Sequence, residues 1–216
     1  MNALRTLIIV AIGFTALPAF ALSDRGQAQL QQLQTRWAEI NYQLPQKQRE
    51  AAFGKLVEQA DAALASEPQA AELLIWRGII LSTQAGAKGG LGALGLVKEA
   101  KASLEQALAI DPQALAGSAY TSLGSLYYQV PGWPIGFGDD EQAEKMLKQA
   151  LAINPDGIDP NYFYGDFLQR QKRFEQSRAA LEKALAAEDR PGRELADQGR
   201  RAEATALLQQ VESKLR

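Results

Sequence analysis

Four Ala-Leu pairs recur along this chain: Ala63-Leu64, Ala107-Leu108, Ala150-Leu151 and Ala184-Leu185, at spacings of 44, 43 and 34 residues. Each pair closes the same apolar ladder. It reads Leu56, Ala60, Ala63, Leu64 in the first copy and Ala100, Leu104, Ala107, Leu108 in the second. Ala143, Leu147, Ala150, Leu151 and then Ser177, Leu181, Ala184, Leu185 continue it. Offsets of 4, 3 and 1 put every member on one face of a helix. Three copies end in the same punctuation, Glu67-Pro68, Asp111-Pro112 and Asn154-Pro155. In the fourth, Asp189-Arg190-Pro191 is slipped by two residues. A proline cannot continue a helix, so each ladder is a closed rod.

A second series precedes the first. Leu74 to Leu81, Tyr120 to Tyr127 and Asn161 to Leu168 carry Gly78, Gly124 and Gly165 in register, each followed three residues on by Leu81, Tyr127 or Leu168. Glycine inside a helix costs roughly 1 kcal/mol against alanine, so its repetition implies a shared cause. The cause expected here is close crossing of the paired helix. The sequence therefore reads as all-α helical hairpins, stacked, with capping helices over Asp24 to Tyr42 and Glu194 to Leu215. The first cap carries Leu30, Leu33, Trp37 and Ile40 on one stripe, and the second Leu195, Ala202, Leu207, Leu208 and Val211. The pair Arg200-Arg201 reads as a solvated face.

Small and large residues at these offsets, with proline closing each unit, resemble tetratricopeptide repeats. The resemblance spans about residues 49–190 and implies a right-handed superhelix of antiparallel helix pairs whose first helices line a concave groove. The last unit keeps the family's spacing, with 9 residues from Leu168 to Ser177. The middle units depart from it, with 19 residues from Leu81 to Ala100 and 16 from Tyr127 to Ala143. Each thus carries an insertion inside its helix pair. More weakly, the chain looks like the periplasmic repeat proteins that partner TRAP-type transporters, through the insertion Val130 to Asp140 and an arginine-containing last helix.

The amino end reads as an address. Arg5, the apolar run Leu7 to Leu17, Pro18 and Ala19-Phe20-Ala21 form a secretory signal, with cleavage expected after Ala21 and no stable membrane span afterwards. Residues 22–216 then form a single repeat domain. The expected destination is the periplasm, or secretion.

Composition narrows the chemistry. The chain has no cysteine and no histidine. No Ser-His or Cys-His dyad, zinc ribbon or disulfide framework is available to it. With 23 basic and 25 acidic residues it is not built to neutralise a phosphate backbone, so no nucleic-acid partner is expected. No cofactor, metal site or catalytic constellation stands out. Gly90-Leu91-Gly92-Ala93-Leu94-Gly95 satisfies GxGxxG, but no βαβ alternation follows, so a dinucleotide fold is rejected. Asp139 reads as a helix N-cap with Gln142 three residues on, a capping-box pattern, rather than as a calcium ligand.

Two sets of candidate binding residues remain. Register against each glycine places residues three before, one after and four after it on the groove. These are Ile75, Ile79 and Ser82, then Thr121, Ser125 and Tyr128, then Tyr162, Asp166 and Gln169. The second set sits on the insertions. Leu91 and Leu94 lie in the expected flexible turn Ala85 to Gly95, and Trp133, Ile135 and Phe137 on the Pro/Gly-rich loop. Those aromatics either present themselves to a ligand or fold back to anchor the loop. The leading functional expectation is a non-catalytic periplasmic scaffold for a protein or peptide, such as a component of a transport or envelope complex. The alternative is a solute-binding or transporter-accessory protein with a pocket under the insertions.

Overall fold

A computed structural model describes residues 22–216. The expected signal segment, residues 1–21, lies outside the described residues. Nine α-helices and no strands are found among the described residues. They are α1 (Asp24–Tyr42), α2 (Gln46–Ser66), α3 (Ala71–Lys88), α4 (Leu94–Ile110), α5 (Ala114–Gln129), α6 (Asp140–Ile153), α7 (Ile158–Arg170), α8 (Phe174–Ala186) and α9 (Glu194–Leu215). Helices pair in chain order, α3 with α4, α5 with α6 and α7 with α8, and first helices also touch across repeats. The Ala-Leu ladders lie on α2, α4, α6 and α8.

The recurrent glycines mark the expected crossings. A Cβ on Gly78 would sit 2.6 Å from Leu104 Cγ, and one on Gly124 would sit 2.6 Å from Leu147 Cγ. At Gly165 the equivalent contact is 2.8 Å, to Leu181 Cγ. The glycine of each first helix thus receives a ladder leucine of its partner, and all three leucines are fully buried. Hydroxyls reinforce two of these seams. Ser103 Oγ donates to the Leu74 carbonyl at 2.9 Å and Ser177 Oγ donates to the Gly165 carbonyl at 2.7 Å.

The insertion expected as a flexible turn is largely helix. α3 runs on through Ala85, Gly86 and Ala87 to Lys88, and α4 begins at Leu94. Ala85 is buried, and packing along α3 outweighs the roughly 1 kcal/mol cost of Gly86. The break falls on Gly89 and Gly90, whose φ values of 65° and 59° suit a residue without a Cβ, and a short 3-10 turn (Leu91–Ala93) follows.

The caps do more than close the ends. Helix α9 packs on α8 and α7 and also reaches α1. Ala196 and Leu195 join the core beneath α1, and Gly199 lies so close to the Tyr42 ring that a Cβ has no room. The stack is therefore closed, with first and last helices in contact. The buried face of α9 runs through Ala196, Ala204 and Val211; the expected stripe residue Ala202 is exposed. Among the described residues no helix is long and apolar enough to cross a membrane.

Candidate functional site

Closure of the stack frames a half-open, concave cavity of about 680 Å³. Three helices of its wall come from the amino-terminal half: Trp37 and Tyr42 from α1, Arg49 and Phe53 from α2, Trp76, Ile79 and Thr83 from α3. Helix α5 contributes Ser118, Thr121, Ser122 and Ser125, and α7 contributes Asp159, Tyr162 and Asp166. The α8–α9 connection and α9 add Arg190, Arg193, Arg200 and Glu203. A volume of this size lies within the range of small-ligand and short-segment sites.

The groove rule holds in part. Ile79, Ser82, Thr121, Ser125, Tyr162 and Asp166 line the cavity. Ile75 does not, being fully buried in the α3–α5 core. Tyr128, expected on the exposed face, is buried as well. Its ring packs on Phe167 and its hydroxyl donates to Asp166 Oδ2 at 2.8 Å, so it braces a cavity residue from behind. Gln169 lies outside the cavity, while Gln129 lines it. These departures share one cause. The cavity crosses the stack obliquely, meeting α3 mostly beyond Gly78 (Ile79, Thr83, Gly86) and α7 mostly before Gly165 (Asp159, Tyr162, Phe163). A single register applied to every repeat cannot follow that slope.

None of the five insertion candidates lines the cavity. Leu91 is 77% exposed at the α3–α4 turn, and Leu94 starts α4, half-buried against the neighbouring core. In the second insertion the roles divide. Phe137 folds back edge-on to Tyr127, with ring centroids 5.8 Å apart, and Lys101 Nζ lies over both rings. Trp133 and Ile135 point to solvent, 90% and 55% exposed. Asp139 caps α6 as expected, its Oδ1 accepting from the Glu141 and Gln142 amides at 2.9 and 3.0 Å. The reciprocal half of a capping box is absent, because the Asp139 amide donates to the Tyr127 carbonyl.

The residues that sequence reasoning missed come from the caps. Arg200, expected on a solvated face, has a side chain only 11% exposed. Its Nε donates to Asp159 Oδ1 at 2.8 Å and its Nη1 to Glu203 Oε2 at 2.5 Å. Its guanidinium lies over Tyr162 and Phe163, 4.5 and 4.7 Å from the ring centroids. Arg190 joins from the α8–α9 connection, donating through Nη1 to Asp159 Oδ2 at 2.7 Å and through Nε to the buried Asp197 at 2.8 Å. Burial pushes the Asp159 carboxyl up, but the Arg200 and Arg190 guanidinium groups outweigh it and hold the group down at about 2. For Arg200 burial works against the charge and Asp159 outweighs it, with a net upward shift. No local pattern announces this network, since Asp159 and Arg200 are 41 residues apart.

The cavity rim also carries backbone in the left-handed region. Leu115, Ala116 and Gly117 have φ of 48°, 53° and 75°, and Leu115 and Ala116 line the cavity. Left-handed conformation is disfavoured for residues with a Cβ, and such strain concentrates where a surface is shaped for use.

Paired helices that stack in order around a shared concave surface define a helical-repeat interaction scaffold. Tetratricopeptide-repeat family models match two segments of the chain, residues 135–193 and 91–114. Among solved structures it is similar to two described as crystal structures of MamA. These are 21% and 19% identical, over 78% and 87% of this chain and 92% of each of theirs, with TM-scores of 0.45 and 0.44. A third is TTC0263, a thermophilic TPR protein in Thermus thermophilus. It is 19% identical over 82% of this chain and 99% of its own, with a TM-score of 0.40. No curated protein matches the chain.

Proposed function

We propose that this protein is an exported, periplasmic and non-catalytic scaffold that holds a segment of a protein partner in its concave cavity. The observation that supports this most is the cavity lining. Ser118, Thr121, Ser122 and Ser125 bring hydroxyls from one helix to a cavity that Trp37, Trp76 and Phe163 also line. Small hydroxyls admit an extended backbone and can bond its amides, while the aromatics receive apolar side chains. The surface is formed before the partner arrives, so little ordering entropy is spent on binding.

The acids of the cavity do not suggest hydrolysis. Asp159, Asp166 and Glu203 face one space, as paired-carboxylate chemistry would need. Each is already committed, Asp159 to Arg190 and Arg200, Glu203 to Arg200, and Asp166 to Tyr128 and Arg170. A carboxyl held at about 2 carries no proton to donate near neutrality.

A second reading, a small-solute handler, is favoured by the contact of α9 with α1, which narrows what is otherwise an open groove. The test is selection of displayed peptides on the mature chain, repeated with Ser125→Trp. Ser125 lines the cavity, and the larger side chain fills it. Recovered peptides that lose binding to Ser125→Trp, with an unchanged helical circular dichroism spectrum, are the expected result. Peptides that bind the two proteins equally, or no recovered peptide at all, would reject the peptide reading.

A further inference from the structure

Where α9 meets the cavity, the charges are paired with one exception. Arg190 and Arg200 take Asp159, Asp197 and Glu203. Arg193 makes no ion pair among the described residues, and its Nε is buried without a hydrogen-bond partner. It is not a solvated surface cation, because its guanidinium lies over the Trp76 ring, 4.9 Å from the centroid, on the cavity wall. The Tyr42 hydroxyl, also on the wall, is likewise buried and unpartnered. Burial, with Arg190 nearby, pulls the Arg193 guanidinium down, and burial pushes the Tyr42 phenol up.

A buried donor without an acceptor is costly, and more so when it is charged. Two such donors at one end of a cavity call for an acceptor group that the described chain does not supply. A carboxylate fits both, since it offers two oxygens and accepts from guanidinium and phenol alike. On one side of these donors stand the paired charges of Arg190, Arg200, Asp159 and Glu203, and on the other the wall is aromatic. Trp76 lies beneath Arg193 and meets Trp37 edge-on at 5.9 Å, with Phe53 and Ile79 also lining the cavity.

We propose that the cavity takes a small organic acid with an apolar body, its carboxylate seated on Arg193 and the Tyr42 hydroxyl and its hydrocarbon against Trp37 and Trp76. The proposal rests on reading the cavity as the binding site and names the class of ligand for its α1–α9 end. A hydrocarbon without charge leaves both donors unanswered, and a strongly solvated dianion finds too few partners against the aromatic wall.

The test uses the mature chain and two matched probes, 3-phenylpropionate and its amide, titrated by calorimetry at neutral pH. The acid should bind at least about tenfold more tightly than the amide, the discrimination expected of one charge-assisted pair. Arg193→Gln should remove that preference and Arg193→Lys should restore part of it. Tyr42→Phe keeps the ring against Gly199 and should weaken the acid about threefold without lowering Tm, which holds the test open if the arginine variants fold poorly. Equal binding of acid and amide, or an acid preference that survives in Arg193→Gln, overturns the proposal. Its failure is separable from that of the peptide reading. Neutral peptides sensitive to Ser125→Trp alongside an inert acid would sink this inference alone, whereas a bound acid with no recovered peptide would sink only the peptide reading.

Discussion

The Arg200 guanidinium of α9 is fixed in three ways at once: by Asp159 at 2.8 Å, by Glu203 at 2.5 Å and by the faces of Tyr162 and Phe163. Asp159 lies in the first turn of α7, the first helix of the last repeat, so this contact ties the carboxyl-terminal cap to the inner wall of the stack. Together with the packing of Gly199 on Tyr42, it makes a ring of what helix pairing alone would leave open.

Asp159→Asn should therefore destabilise the protein strongly. It keeps the shape of the side chain but leaves the buried Arg200 guanidinium and the partly exposed Arg190 guanidinium facing an amide. Breaking a buried pair by neutralising one partner costs about 3 kcal/mol, a fall in Tm of roughly 8 °C for a chain of this size. Thermal unfolding followed at 222 nm measures it. A fall of less than about 2 °C would mean that the network adds little to closure.

The same carboxyl gives the pH dependence a sign. Asp159 sits at about 2 in the folded state, below the value of about 3.9 expected for the unfolded chain. Its contribution is thus complete above about pH 4 and is lost as pH falls towards 2, amounting to roughly 2 kcal/mol. Urea midpoints at pH 5 and pH 2.5 should separate in the native chain. In Asp159→Asn the separation should narrow by that amount, and parallel behaviour of the two proteins would contradict the assignment.

Much of the fold was legible because its signals are local. A ladder leucine meeting a glycine is a matter of offsets within one unit, so Gly78, Gly124 and Gly165 mark the crossings in the sequence itself. The limits of α1 and α9 were legible for the same reason. Closure was not, because Trp37 and Arg200 look like one residue of an apolar stripe and one of a charged pair. Only the return of α9 to α1 turns both into cavity wall. The groove was half legible: the rule found Thr121, Ser125, Tyr162 and Asp166, then placed Tyr128 on the wrong side, since the slope of the cavity across the stack is a property of all the repeats together.

The second insertion divides into an anchor and a free tip. Phe137 packs edge-on to Tyr127 and against the α3–α5 core, whereas Trp133 touches little. Phe137→Ala should cost about 2 kcal/mol, less than a fully buried phenylalanine because part of the ring is in water. Trp133→Ala should move stability by no more than about 0.5 kcal/mol. Denaturant midpoints of the two variants decide the matter. A large loss at Trp133 would reverse the roles of the two aromatics.

Glycines inside these helices carry opposite expectations according to what faces them. At Gly124 a methyl group meets Leu147 at 2.6 Å from Cγ and 2.9 Å from Cδ2, with the Leu147 amide nitrogen at 3.2 Å. The leucine is fully buried, so it cannot swing aside, and the two helices must separate. Overpacking of this kind costs about 1–3 kcal/mol, against a gain in helix propensity of about 1 kcal/mol. Gly124→Ala should therefore come out destabilised, by up to about 2 kcal/mol. Gly95 also lies within a helix, α4, but nothing stands within 4 Å of a Cβ placed there. There the propensity gain acts unopposed, so Gly95→Ala should raise stability by about 0.5–1 kcal/mol. Measuring the pair by urea denaturation separates close crossing from a general intolerance of alanine. If both substitutions stabilise, the glycine register reflects something other than the approach of the ladder leucines.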